Sequence, residues 1–149
     1  MVPLTMTDKI PYAPVLRTQA DVEAAWRHLI NPLGWPEPRL WFMLVGADGV
    51  PFPQLCQIEQ LPVEIGDDGA GNVAAMLHDL IDELGLDRVE LLLCRPGGGP
   101  PSQSDRKNAA HLYGACAVAA VPVDVIHLAT DQDFWPVPLD ELGELRTPA

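Results

Sequence analysis

The chain is poor in basic residues, lacks paired cysteines and has no long apolar run, and each shortage removes a class of function. Nine Lys and Arg stand against 21 Asp and Glu, a formal net charge of −12. Between Gln57 and Asp87 lie eight acids (Glu59, Glu64, Asp67, Asp68, Asp79, Asp82, Glu83 and Asp87) and neither Lys nor Arg. Such a surface repels a phosphate backbone and no basic stripe offsets it, so no nucleic acid is expected as partner. The acidic run reads instead as a solvated helix face. Cys56, Cys94 and Cys116 are odd in number, far apart and without a CxxC spacing. They read as reduced, buried thiols of a cytoplasmic protein, not as a disulfide framework. No apolar stretch approaches membrane-spanning length, so no membrane is expected. The opening MVPLTMTDKIPYAPVLRT lacks the apolar core of a signal peptide and carries Asp8. His-x-His, HExxH, GxSxG and both phosphate-loop glycine patterns are missing, so zinc and other cofactors are not expected. There is no internal repeat.

What is present is an ordinary globular composition: 149 residues, 48% hydrophobic and 20% charged, enough for one domain with its own core. Sixteen prolines mark loops. The expected organisation is an extended segment over 1–17, one α/β domain over 18–145 and a tail over 146–149. Thr18 is placed to cap a helix over 19–31, whose Val22, Trp26, Leu29 and Ile30 share a face. LWFMLV (Leu40 to Val45) reads as a buried strand, Ala47-Asp48-Gly49 as a turn, and 52–59 as a returning strand. Pro53 gives that strand an edge position or a late start. Residues 66–72 read as a polar turn in which Asn72 caps the next helix. Its stripe is Val73, Met76, Leu77, Leu80, Ile81 and Leu84, and Gly85 ends it in the left-handed conformation. A short strand over 133–137 and a helical turn over 139–145 close the chain.

The stretch from Arg88 to Asp131 carries the chemistry. Val89 to Cys94 is a near-continuous apolar run, which suits a strand buried on both faces. Arg95 to Pro101 holds three glycines and three prolines. Ser102 and Asp105 open a helix that lasts to about Ala120, and a strand follows over 123–129. Strand, glycine-rich loop, helix and strand form a βαβ-like unit, and the loop is where a site is expected. With the preceding hairpin this predicts a three-layer α/β/α sandwich on a mixed β-sheet.

The order of elements, with Arg95-Pro96, the Gly97-Gly98-Gly99-Pro100-Pro101 loop and Ser102-Gln103-Ser104-Asp105, resembles the JAB/MPN metalloprotease family, most closely its RadC-like branch. VPVDVIHL (Val121 to Leu128) and the LWFMLVGADGV hairpin resemble further strands of it. The resemblance runs over roughly residues 18–137. It implies a JAB/RadC-like sandwich, with the cytidine-deaminase-like architecture as a neighbour. In that family a strand ends in His-x-His-Pro, and two histidines with the aspartate of Ser-x-x-Asp hold zinc. Zinc makes hydroxide from its bound water at neutral pH. A glutamate upstream acts as base and the serine steadies the oxyanion. Here Leu93 and Arg95 stand where the histidines would be, and the loop is one residue shorter. Sliding by one residue brings Cys94 opposite the second histidine but Leu92 opposite the first. Asp105 and Ser102 remain, and Glu37 lies near the expected glutamate.

The candidates for a degenerate catalytic site are therefore Ser102, Asp105, Glu37 and Cys94. Arg95 is expected to pair with Asp105 and hold strand to helix without metal. Cys94, beside Arg95 and near a helix start, has two features that lower a thiol pKa, although burial after three leucines predicts an inert group. A ligand-binding alternative puts a small anion on Arg95, Gly97, Gly98, Gly99, Ser102 and Ser104, aided by Arg106 and Lys107. Asp105 opposes it. His28, His78 and His111 read as helix-surface groups, and His127 as a satisfied core or edge histidine. The tryptophans read as packing, unless Trp35 and Trp135 are exposed together and mark a partner surface. The resemblance with its ligands missing implies a non-catalytic domain acting through a protein partner or self-association, with a metal-dependent hydrolase or isopeptidase as the alternative.

Overall fold

The computed structural model describes residues 4–9, 15–30, 34–52 and 54–139. Its elements are β1 (Leu4–Lys9), α1 (Gln19–Leu29), β2 (Arg39–Val45), β3 (Gln54–Ile58), α2 (Gly66–Leu84), β4 (Arg88–Cys94), α3 (Gln103–Val118), β5 (Ile126–Ala129) and β6 (Phe134–Val137). The strands form one sheet of six in the order β1-β3-β2-β4-β5-β6. β4 and β5 run parallel, joined by α3, and every other neighbouring pair is antiparallel.

Helices cover both faces of this mixed sheet, because the strands alternate between two apolar clusters. Leu40, Phe42 and Leu44 of β2 with Val89, Leu91 and Leu93 of β4 pack against α2 and α3. Met43 and Val45 with Leu92 and Cys94 pack on the other side against Val22, Ala25 and Trp26 of α1. Burial on both faces explains why β4 reads as a near-continuous apolar run. At about 25 cal/mol per Å² of apolar surface buried, these two layers drive folding. Thr18 caps α1 through a full capping box with Asp21, and Gly85 closes α2 at φ 68°.

Three expectations change. Residues 66–72 are not a turn capped by Asn72, because α2 begins at Gly66. Glycines there cost helix stability, about 1 kcal/mol each relative to alanine. Tertiary contacts offset this: Ala70 is fully buried, Asn108 Oδ1 accepts from Ile65 N at 2.9 Å, and His111 Nδ1 meets Asp67 Oδ1 at 2.7 Å. Asp67 and Asp68 also face the positive end of the helix dipole. Secondly, the segment before Arg17 is not merely an extended arm, since β1 adds the outermost strand beside β3. β3 is therefore interior and begins at Gln54, and Pro53 itself lies outside the described residues. Thirdly, β5 begins at Ile126, with Val123 reaching β4 only through one isolated bridge to Val89. The tryptophans pack, as expected, and Trp35 and Trp135 do not form a shared exposed patch. Trp35 is buried and meets Trp41 edge to face at 5.1 Å, and Trp135 is half-buried. The turn expected over 139–145 and the tail over 146–149 lie outside the described residues from 140 onward.

Candidate functional site

The βαβ unit builds its site from the end of β4. Arg95 N donates to Ala129 O at 3.1 Å, extending the parallel pairing by one residue before the loop leaves the sheet. Gly97 (φ 91°) and Gly99 (φ 83°) occupy the left-handed region that glycine enters without strain, so the loop folds back within a few residues. It delivers Ser102 to the start of α3, where Ser102 Oγ accepts from Asp105 N at 3.1 Å and Asp105 Oδ2 accepts from Ser102 N at 2.7 Å. This reciprocal capping box turns the Asp105 carboxylate back over the loop.

Arg95 meets it there. Arg95 Nε donates to Asp105 Oδ1 at 2.8 Å and Oδ2 at 2.9 Å, and Nη1 donates to Pro96 O at 3.1 Å. Asp105 is 5% exposed. The expected strand-to-helix ion pair is thus present, and it is charge-assisted and largely desolvated.

Two residues that the sequence reading left without a role complete the loop. Asp131, after β5, accepts from Gly97 N through Oδ2 and from Trp35 N through Oδ1, both at 2.8 Å, and its own N donates to Gly97 O at 2.8 Å. Those backbone bonds to Trp35 and Gly97 hold the Asp131 carboxyl below the usual carboxylate range. Its folded pKa is depressed, so this anchoring is complete above the ordinary carboxylate pKa and is lost as pH falls through the lowered value. Asp131→Ala is expected to speed amide hydrogen exchange at Gly97 roughly tenfold, leaving β4 protected; unchanged exchange would remove Asp131 from this role. Asn108, on α3, donates to Val63 O at 2.8 Å and accepts from Ile65 N, tying the 61–65 segment beside the loop.

Between these two segments lies a cleft of about 630 Å³, with Leu61, Pro62 and Val63 on one side, Leu93 and Leu128 below, and the Arg95–Asp105 pair at its polar end. Gly98, Gly99, Ser102 and Ser104 also line it. Ser104 Oγ lies 3.4 Å from Glu64 Oε1.

Two of the catalytic candidates have other settings. Cys94 is among the residues lining the cleft, but its side chain belongs to the α1-side core at 2% exposure, and burial pushes its thiol well above the ordinary value despite Arg39 nearby, as for an inert thiol. A protonated, buried thiol is no nucleophile. Glu37 precedes β2 at the same end of the sheet, but its carboxylate accepts from Gln60 N and faces Arg39 Nε at 3.9 Å, and it does not line the cleft. Among the described residues no three His, Cys, Asp or Glu side chains converge in a metal-holding group. Leu93, Arg95 and Asp105 do not fit the tetrahedral zinc that the resemblance implies, since a guanidinium already neutralises the single carboxylate. No reaction step follows from such a metal here. His127, expected as a satisfied core histidine, is fully buried with Nε2 at 3.0 Å from Glu23 Oε2, while His28 and His78 are exposed. Among the described residues no helix is long and apolar enough to cross a membrane. In comparisons with known proteins, no family model matches the chain, and no match is found among curated proteins.

Proposed function

We propose that the chain is a metal-free domain of RadC/JAB-like build that works by holding a protein partner, not by catalysis. The observation that carries the proposal is the Arg95–Asp105 pair. It stands at the end of the strand and the start of the helix between which the resembled family holds its metal. A guanidinium bonded to both carboxylate oxygens there supplies the positive charge and the strand-to-helix link that a dication would supply. The adjoining cleft is apolar on most of its walls, and Val63 at its side is 69% exposed, which suits an apolar segment of a partner.

Anion binding by the 97–104 loop is not favoured, because Asp105 already occupies the first turn of α3 and takes the Arg95 charge. Location in the cytoplasm is part of the same proposal, in keeping with three free, buried cysteines.

Elemental analysis of the purified protein beside Asp105→Ala tests it. The expected result is no stoichiometric zinc in either. Zinc in the parent that disappears in the variant would revive the hydrolase. Val63→Asp should then abolish capture of the partner while leaving thermal stability within about 0.5 kcal/mol, as for other exposed substitutions.

A further inference from the structure

Although the chain carries a net charge of −12, the charged residues lining the cleft beside the glycine loop are one cation and one anion, Arg95 and Asp105, bonded to each other. The other polar side chains of the lining are engaged as well. Ser102 Oγ accepts from Asp105 N, Asn108 bridges Val63 O and Ile65 N, Ser104 Oγ donates to Glu64 Oε1, and Cys94 Sγ meets Leu92 O at 3.7 Å. Arg95 alone keeps spare donors, since its Nη2 makes no hydrogen bond among the described residues. A charged ligand would therefore lose its hydration here and meet no net opposite charge.

Unspent bonding capacity lies in the backbone. Gly98 and Gly99 line one side of the cleft and Val63 the other, and among the described residues none of their three N–H groups makes a hydrogen bond. The carbonyls of Pro62, Gly98 and Gly99 likewise accept from no described group. Unpaired backbone of both polarities on two facing walls matches an amide, which offers one N–H and one C=O and carries no charge.

The walls are set without a ligand. Asp131 bonds both the N–H and the C=O of Gly97, and the Gln132 side chain fills the space that a side chain at position 98 would need, while the space beside Gly99 is open. Asn108 fixes the facing segment through Val63 and Ile65. Pro62 and Val63 on one lip, with Pro96 and Pro100 on the other, are exposed apolar surface.

We propose that this cleft, on the partner-holding reading above, takes an extended, internal and uncharged segment of the partner, its amides pairing with the backbone of Gly98, Gly99 and Val63 and its apolar side chains lying against Val63 and the prolines. Main-chain bonds supply the affinity and the apolar walls the selectivity. A carbonyl of the segment can also accept from Arg95 Nη2. A chain terminus or a charged side chain does not fit, because the Arg95–Asp105 pair leaves no net charge to meet it.

Nuclear magnetic resonance of the isotope-labelled full chain, titrated with acetyl-Ala-Leu-Ala-methylamide, tests the proposal. The blocked peptide should shift the Val63, Gly98 and Gly99 amides and slow their hydrogen exchange, with a dissociation constant on the order of 1 mM. The same tripeptide with a free carboxylate, or with a free ammonium, should bind roughly tenfold more weakly. Val63→Asp, at an exposed position, should abolish the shifts at Gly98 and Gly99, and Val118→Asp, 91% exposed on α3 and outside the lining, should leave them unchanged. No shift of these amides by the blocked peptide, equal binding of a charged form, or full binding by Val63→Asp would overturn the proposal. Equal binding of a charged form, with capture of the partner still lost in Val63→Asp, would remove the uncharged segment while the cleft remained the partner's seat.

Discussion

Asp105→Ala is expected to cost about 3 kcal/mol of stability, lowering the melting temperature by roughly 6–12 °C for a domain of this size. Three contributions are lost together. Half of the capping box disappears, so Ser102 N loses its acceptor. The pair with Arg95 disappears as well. The Arg95 side chain, only 23% exposed, is left with an uncompensated charge, which is the largest share of the cost. Asp105→Asn should lose less, because its amide oxygen still accepts from Ser102 N. A double-mutant cycle with Arg95→Leu separates cap from ion pair, and removing both partners should cost less than the two single changes summed. Urea unfolding of the four proteins measures it. A loss below 0.5 kcal/mol in Asp105→Ala would mean that the pair holds nothing together, and the proposed replacement of the metal would fall with it.

Glu90→Gln should alter how stability depends on pH by a comparable amount. The folded protein keeps the Glu90 proton up to about pH 8, whereas an unfolded chain releases it near 4.5. The native state therefore binds more protons in this window, and stability drains as pH rises from about 4.5 to about 8. The contribution is fully present below the unfolded pKa and gone above the folded one. Glutamine is neutral at every pH and its amide can still donate to Asp124. The stability of Glu90→Gln relative to the parent should thus climb between pH 5 and pH 8, on the order of a few kcal/mol. Comparing the two proteins cancels the general self-repulsion of a chain carrying a net charge of −12. Parallel pH profiles would show that Glu90 is ionised throughout.

These two acids illustrate what could be read beforehand. Asp105 was accessible from local text, since a serine three residues before an acid at a helix start is a capping box, and a lone arginine across a short glycine loop can reach it. Glu90 was not. It sits in a strand of apolar residues where alternation alone says only that it is buried, and its partner Asp124 is 34 positions away in sequence number. Cys94 carried two opposed local signals: proximity to Arg95 and to a helix start favours a reactive thiol, burial after three leucines an inert one, and the α1-side core holds its side chain as the second predicts.

By itself the sequence determined the helix and strand types, the buried character of β4, the caps at Thr18, Ser102 and Gly85, and the Arg95–Asp105 pair, because each depends on residues within about ten positions of one another. Tertiary structure alone decided that 66–72 joins α2, because Asn108, His111 and a buried Ala70 repay glycines that local propensity rejects. It alone placed β1 at the sheet edge, Asp131 under Gly97 and Trp35, and Glu23 against His127, contacts that span 34 to 104 positions and leave no periodic trace in the chain. Periodicity records which face of an element is buried; only packing says which buried groups meet.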